Sequence, residues 1–322
     1  MTTYDFSWGE PFAVRDALKD LGGLLAIADV SPLDGLEYPA HEGETEYLKA
    51  VSDLIEATTG VRYPHVLATA GCTQALVAAL RSFPGRPAAI PERRFSLYPD
   101  IVAAAGKTFI EYQSSESVPP EFAVVVDSPS NPDGWLRETE SSDFVIWDAA
   151  YHSPTFGVAA LETPSHAVMC GSLGKTLGLP GLRLGWLATG DQGLFERAAS
   201  YVTASTLGAG KRDQITATAV LKSLDLQLFF KRSRAAIDAN RERFARLRHI
   251  FGTPGDRGMF HVCDADGAAL KILARVGARV QPGNRWGGKT SEVRFSLGQK
   301  QDVTQAFVTA VLDADTRKGK KK

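Results

Sequence analysis

Four short apolar runs in the middle of the chain constrain its fold more than any other feature: FAVVV at 122–126, FVIW at 144–147, HAVMC at 166–170 and RLGWLA at 183–188. Each is rich in β-branched or aromatic residues, apolar on both alternating faces and bounded by turn residues, the pattern of a buried strand. A strand without a polar face needs cover on both sides. Separated by helical stretches such as CTQALVAALRSF at 72–83, such strands predict a mainly parallel sheet between layers of helices. The 30 glycines and 17 prolines supply the turns this requires and argue against a helical bundle.

The pattern changes near residue 220. LDLQLFFKRSRAAIDANRERFARLRHI reads as a long amphipathic helix with Phe230, Ile237, Phe244 and Leu247 on one stripe. A strand around GMFHVC, a helix around GAALKILARVG, a turn at Pro282-Gly283, the strand VRFSL and a closing helix through 303–312 follow. The 322 residues thus divide into a large α/β domain over 31–220 and a small α+β domain from 1–30 and 221–316. Residues 317–322 are expected as a disordered basic tail.

Composition narrows the class. Cys72, Cys170 and Cys263 are too few and too far apart for a disulfide framework or a structural zinc site. The six histidines form no HxH or HExxH cluster, so no metal is implied. The opening MTTYDFSWGEP lacks a signal-peptide pattern and no apolar run could span a bilayer. The expectation is a cytoplasmic protein without membrane contact. The net charge of −1 hides the basic end RKGKKK, a solubilising appendage or a weak polyanion contact, which leaves a nucleic-acid partner open.

Gly174-Lys175-Thr176 matches the end of a nucleotide-binding loop, but the full pattern needs a glycine where Met169 stands. Asp148, which could imitate the magnesium-binding aspartate, precedes that loop rather than following it. An NTPase is a poor fit, and Asp148 and Lys175 suit a different chemistry. SLGKTLGLPGLRLG at 172–185 resembles the signature of fold-type I pyridoxal phosphate enzymes, in particular class I/II aminotransferases and their histidinol-phosphate aminotransferase-like relatives. In that family a serine stands three residues before the Schiff-base lysine and an arginine eight after it, as Ser172, Lys175 and Arg183 do here. Gly181 and Gly185 flank the arginine at the family's spacing. Asp148-Ala-Ala-Tyr151 resembles its Asp-x-x-Tyr, and Asn131-Pro-Asp-Gly134 its Asn-Pro-x-Gly turn. Gly71-Cys72-Thr73, Pro91 followed by Phe95 and Tyr98, Pro282-Gly283 before Arg294, and the opening turn Trp8-Gly9-Glu10-Pro11 complete the order. The likeness runs from about residue 9 to 310.

The resemblance implies pyridoxal 5′-phosphate as cofactor, held by Lys175 as an imine, with Asp148 facing the pyridine nitrogen. It implies that Tyr151 and Asn131 meet the phenolic oxygen and that Phe95 stacks on the ring, with Tyr98 as packing. Ser172, Arg183 and the helix start at Cys72 and Thr73 would bind the phosphate. Arg294 would take the substrate α-carboxylate, beside Gly9 and Asn131. Tyr38, with Gly43 five residues on, resembles the segment that reaches the phosphate across a homodimer with shared active sites. Catalysis would fall to Lys175, Asp148 and Tyr151.

The reaction so implied moves an amino group from an L-amino acid to a 2-oxo acid. A decarboxylase or lyase acting on an amino acid, or on an amino-acid-modified and even nucleic-acid-linked substrate, stays open, as does a catalytically retired scaffold. Two features depart from the family. Asp148 stands only 17 positions after Asn131, where relatives fit a helix, and a parallel crossover needs about a dozen or more residues. One face of the sheet is therefore expected to be less covered. Gly174 replaces a second serine. Lys211 and Arg212 form an extra basic pair that either meets an acidic substrate group or faces solvent, and His152 is expected in a supporting or capping role beside Tyr151.

Overall fold

A computed structural model describes residues 3–137, 143–158 and 167–319. The strands are β1 (Tyr4–Asp5), β2 (His65–Thr69), β3 (Ala88–Pro91), β4 (Phe109–Tyr112), β5 (Ala123–Asp127), β6 (Val145–Asp148), β7 (Val168–Ser172), β8 (Gly185–Thr189), β9 (Phe260–Asp264), β10 (Ala278–Arg279), β11 (Gln281–Pro282) and β12 (Glu292–Ser296). The helices are α1 (Phe12–Asp20), α2 (Gly23–Ala28), α3 (Thr45–Thr59), α4 (Cys72–Arg81), α5 (Tyr98–Ala104), α6 (Leu173–Thr176), α7 (Gln192–Thr206), α8 (Lys211–Ser223), α9 (Leu226–Ala245), α10 (Arg248–Phe251), α11 (Gly267–Val276) and α12 (Gln301–Gly319).

The four apolar runs become β5, β6, β7 and β8 of a seven-stranded sheet ordered β2-β8-β7-β6-β5-β3-β4. β8 pairs antiparallel with both neighbours, and the other adjacent strands run parallel. β5 and β6 are buried at every position, because α4, α5 and α7 cover one face while α3 and α8 lie toward the other. Side-chain caps fix where helices begin: Asp191 accepts from the Leu194 amide and Asp225 from that of Leu228, contacts of about 1 kcal/mol each.

β9, β12 and β11 form a second, antiparallel sheet with β12 in the middle. The beginning of the chain packs here. β1 pairs with β10, α1 lies on α9, and Phe6 meets Phe307 at a ring separation of 4.8 Å within a cluster that includes Phe244 and Phe295. The expected helix over 224–250 divides into α9 and α10. Arg317 and Lys318 lie within α12 rather than in a disordered tail; Lys320, Lys321 and Lys322 lie outside the described residues. Among the described residues, no helix is long and apolar enough to cross a membrane.

The short connection between Asn131 and β6 carries turns and no helix over 131–137 and 143–144, and 138–142 lie outside the described residues. The sheet face there is covered without a helix among the described residues. Ala89, Val124, Val126 and Val145 are buried in a small cluster with Tyr112, against which Val118 and Phe122 pack.

Gly185 marks the tightest point of the fold. A Cβ there would lie 2.4 Å from the Gly171 carbonyl oxygen and 2.8 Å from the Cys72 amide nitrogen, both backbone atoms without freedom to yield. Gly181 has open space around it. We predict that Gly185→Ala costs about 2 kcal/mol and displaces the start of α4, while Gly181→Ala stays within about 0.5 kcal/mol of the parent; thermal unfolding of the two variants checks both.

Candidate active site

The sheet's polarity gathers the site. The parallel strands all point their C-terminal ends to one edge, and β8, running the other way, brings its first residue to the same edge. Open α/β sheets bind ligands at that edge. From it come the α4 start after β2, the loop with Phe95 after β3, Asp127 and the Asn131 turn after β5, Asp148 at the end of β6, Ser172 and Lys175 after β7, and Arg183 before β8. The N-terminal segment and the second sheet close the other side with Gly9, Phe260 and Arg294 around a cavity of about 630 Å³.

Lys175 projects from α6, whose first turn is fixed by Ser172: the hydroxyl oxygen accepts the Gly174 amide at 3.0 Å and donates to the Leu184 carbonyl. The ammonium donates to the Gly9 carbonyl. Burial is the main force that lowers its pKa to about 8, with Arg294 and Arg183 adding to the effect and Glu10 opposing it. A Cβ at Gly9 would stand 3.3 Å from the Lys175 Nζ, the Tyr151 hydroxyl and the Phe260 ring edge alike. Three groups thus converge where only glycine fits without pushing on them.

Asp148 is buried, which raises its pKa, while Tyr98, the Ala150 amide and Cys72 stabilise the charged form. The Tyr98 hydroxyl donates to Oδ2 at 2.8 Å and the Cys72 thiol approaches Oδ1 at 3.4 Å. Tyr98, expected as packing, therefore belongs to the site, and the clue was its place three residues after Phe95. The Phe95 ring lies edge-on to Tyr98 at 5.8 Å. On β5, Asp127 accepts the Arg137 guanidinium at 2.9 Å and the Asn131 amide at 3.0 Å. This anchor of the Asn131 turn carries no signature in the sequence.

Arg294 sits mid-strand in β12 and is 4% exposed. Its Nη1 donates to the Asn131 side-chain oxygen, its Nη2 reaches the Ser7 carbonyl at 3.2 Å, and its guanidinium carbon lies 3.9 Å from the Phe260 ring centroid. Nε is buried with no partner among the described residues, and burial lowers the side-chain pKa to about 10. A buried guanidinium with an unspent N–H is prepared for a carboxylate. Arg183 holds φ at 49°, the left-handed region, at a cost of about 1 kcal/mol. Its guanidinium thereby stands beside Gly71 at the α4 start, 3.2 Å from where a Cβ would be. With Cys72, Thr73 and Ser172 it lies at a helix N-terminus, a place whose backbone amides could hold an anion.

The donor set fits pyridoxal phosphate: a depressed amine for the aldehyde, a buried carboxylate for the ring nitrogen, and a guanidinium, a hydroxyl and helix amides for the phosphate. Every residue proposed from the sequence lines the cavity except Tyr38, which is 83% exposed and lies away from it. Nor does the Lys211/Arg212 pair reach the cavity. Lys211 pairs with Glu37 at 3.3 Å, and Arg212 donates to the Ser31 and Pro32 carbonyls, so both grip the chain's own 31–37 segment. His152 is buried edge-on against Trp147 at 4.6 Å, behind the cavity wall.

Comparisons with known proteins agree with this geometry. The chain matches the family "Aminotransferase class I and II" over residues 4–311. It is 29% identical over 171 residues to tryptophan aminotransferase-related protein 1 of Oryza sativa subsp. japonica, covering 50% of this chain and 38% of that protein. To an alliin lyase of Allium cepa var. aggregatum it is 27% identical over 133 residues, 41% of this chain and 29% of the other. These alignments span well under half the length of the relatives. Among solved structures, aspartate aminotransferase from Thermus thermophilus with maleate superposes with a TM-score of 0.79 at 18% identity, covering 97% of this chain and 91% of that one. N-succinyldiaminopimelate aminotransferase from Mycobacterium tuberculosis gives 0.78 at 19%, covering 97% and 93%. These likenesses establish the fold. The family match, extending over nearly the whole chain, establishes membership: the protein belongs to the class I and II aminotransferases, a family of pyridoxal phosphate enzymes.

Proposed function

We propose that the protein is a pyridoxal-phosphate-dependent aminotransferase that moves an amino group from an L-amino acid to a 2-oxo acid. The observation that carries this reading is the convergence of Lys175 Nζ and the Tyr151 hydroxyl around Gly9, with Asp148 and Arg294 lining the same cavity. Pyridoxal phosphate supplies, when bound, a sink for the electrons left on the substrate α-carbon.

The chain's own residues do the rest. Arg294 holds the α-carboxylate as a fork, which fixes how the substrate Cα–H is presented. Lys175 Nζ, neutral in a large fraction once pH passes about 8, accepts the proton from that carbon. Asp148, held by Tyr98 and Cys72, would keep a proton on the ring nitrogen of the bound cofactor. Asn131 and Tyr151 would hold its phenolic oxygen, and Phe95 would cover its ring.

The alliin lyase relatives support one second reading, β-elimination, which begins with the same loss of the Cα proton. We further propose a homodimer. Leu33, Leu36 and Tyr38 are all more than two thirds exposed, on the segment that Lys211 and Arg212 hold in place. The free cysteines Cys72, Cys170 and Cys263 support a reducing, cytoplasmic setting.

Three outcomes are expected. Wild-type protein gains a visible absorbance band with pyridoxal phosphate and Lys175→Ala does not. An amino acid then discharges that band with release of its 2-oxo acid, and a second oxo acid restores it. Ammonia released in step with the oxo acid, with no acceptor needed, would establish the lyase instead.

Because burial lowers the Lys175 pKa, the reactive free amine appears at lower pH than in an ordinary lysine. The rate of band formation in the cofactor-free protein should rise with pH to half its maximum near pH 8, where the folded amine titrates. A half-rise near the ordinary lysine value of about 10.4 would contradict the burial argument.

Arg294→Gln should lower kcat/KM for amino acids by about 100-fold or more, with the cofactor band intact. Arg294→Lys should recover little of that, since an ammonium cannot form the fork. Steady-state kinetics beside the spectrum separates substrate binding from cofactor binding.

A further inference from the structure

The Lys175 amine donates to the Gly9 carbonyl, and the reading above gives no task to the next residue, Glu10. Gly9 lines the cavity and Glu10 does not, so its carboxylate acts from behind the wall rather than on a ligand. It is nonetheless held. Arg15, in the first turn of α1, pairs with Glu10 through Nη2, and its Nε donates to the Gly178 carbonyl at 2.8 Å. Gly178 stands three residues after Lys175. The contacts therefore close a ring. It runs from the amine to Gly9, along the chain to Glu10, across to Arg15, down to Gly178 and back along the chain to Lys175.

The corners of the ring are packed too closely to drift. At Gly178, where φ is 74°, a Cβ would lie 2.7 Å from the Arg15 amide nitrogen and 2.9 Å from its Cα. The chain after the lysine thus runs directly against the start of α1. On the other side, a Cβ at Gly298 would lie 3.0 Å from the Glu10 carbonyl oxygen, and the Ala13 amide donates to the Gly298 carbonyl at 2.9 Å. The Arg15 amide donates to the Pro11 carbonyl at 3.0 Å, and its guanidinium lies 5.3 Å from the Phe12 ring centroid.

The charges that face the amine are unequal. Burial, Arg294 from β12 and Arg183 from the segment before β8 push it towards the neutral form, and Glu10 from the opening segment opposes them. Tyr151 stands close by as a neutral hydroxyl, its pKa raised by burial. The carboxylates that line the cavity are engaged elsewhere, Asp127 by Arg137 and Asp148 by Tyr98. A group that must take a proton from carbon and hand it back works best when neither of its forms is heavily favoured.

We propose that Glu10 and Arg15 are positioning residues for Lys175: Glu10 balances the two guanidiniums that face the amine, and Arg15 fixes Glu10 in the place from which it does so. This rests on the reading of Lys175 as the amine that carries the cofactor, yet its effect on the amine is measurable with no cofactor present.

Trace acetylation of the cofactor-free protein with acetic anhydride, followed across pH at Lys175 by peptide mass spectrometry, reads the amine directly. In the wild type, labelling should be half-maximal near pH 8. Glu10→Gln should lower that midpoint by about half a pH unit or more, because the charge that favours the protonated form is gone. Arg15→Gln and Arg15→Lys should lower it too, since neither offers the two separated donors of a guanidinium. The sign is decisive. Deleting the Arg15 charge would by itself raise the midpoint, so a fall means that Glu10 has been released. Adding Glu10→Gln to either Arg15 variant should then bring no further fall. Lys107, held by the Phe83 and Arg86 carbonyls, is the internal control and should not move. An unchanged midpoint in Glu10→Gln, a rise in Arg15→Gln, or a shift shared by Lys107 would overturn the proposal. If Lys175 titrates as expected but the wild type gains no visible band with pyridoxal phosphate, the cofactor reading fails and the ring's hold on the amine stands.

Discussion

The contact of Arg294 with Asn131 joins the two sheets, and the cavity exists because of it. One partner stands mid-strand in β12, the other in the turn after β5, 163 positions apart. Burying a guanidinium costs several kcal/mol unless its N–H groups are met. Here the Asn131 oxygen, the Ser7 carbonyl and the Phe260 face take up part of that cost and leave Nε without a partner among the described residues. The Asn131 turn can serve because Asp127 and Arg137 brace it from behind. A strand of one sheet, a turn of the other and the chain's opening segment are thus held by one side chain whose free valence faces the pocket.

The other organising constraint is strand direction. Had β8 run parallel to its neighbours, Arg183 would lie at the far edge of the sheet, away from α4 and Ser172. Its antiparallel course returns the chain at once, and Gly185 permits the close approach of Gly171 and Cys72 that brings the arginine to the helix start. The proposed phosphate cradle and this crowded point of the backbone are the same place. Packing and binding are not separable there.

Much of this was legible because a strand, a turn and a helix start lie within a few residues of each other. Ser172, Lys175 and Arg183 belong to one continuous segment, and Asp148 with Tyr151 to another, so the family resemblance could be read on short motifs. Where a contact joins distant segments, spacing carried nothing. The bond from Tyr98 to Asp148 links the start of α5 to the end of β6, across 50 positions. The Asp127–Arg137 anchor looks like any charged pair in a polar loop. Lys211 and Arg212 looked free because their partners are mostly backbone carbonyls of residues near 31–34, which have no sequence signature. Tyr38 resembled a phosphate contact, yet it is 83% exposed and lies away from the cavity of its own chain.

The acceptor for the Lys175 amine is the main-chain carbonyl of Gly9, in a segment tied to the rest by β1 against Ala278–Arg279 and by the Ala13 amide on the Gly298 carbonyl. Those tethers belong to the last fifth of the chain. During synthesis, therefore, a nascent chain that has completed its seven-stranded sheet still lacks these two tethers and the second sheet, and with it the Phe260 and Arg294 side of the cavity. A half-made copy can gather the phosphate cradle but cannot shelter the amine from water, so cofactor captured at that stage would meet an open and ordinary lysine.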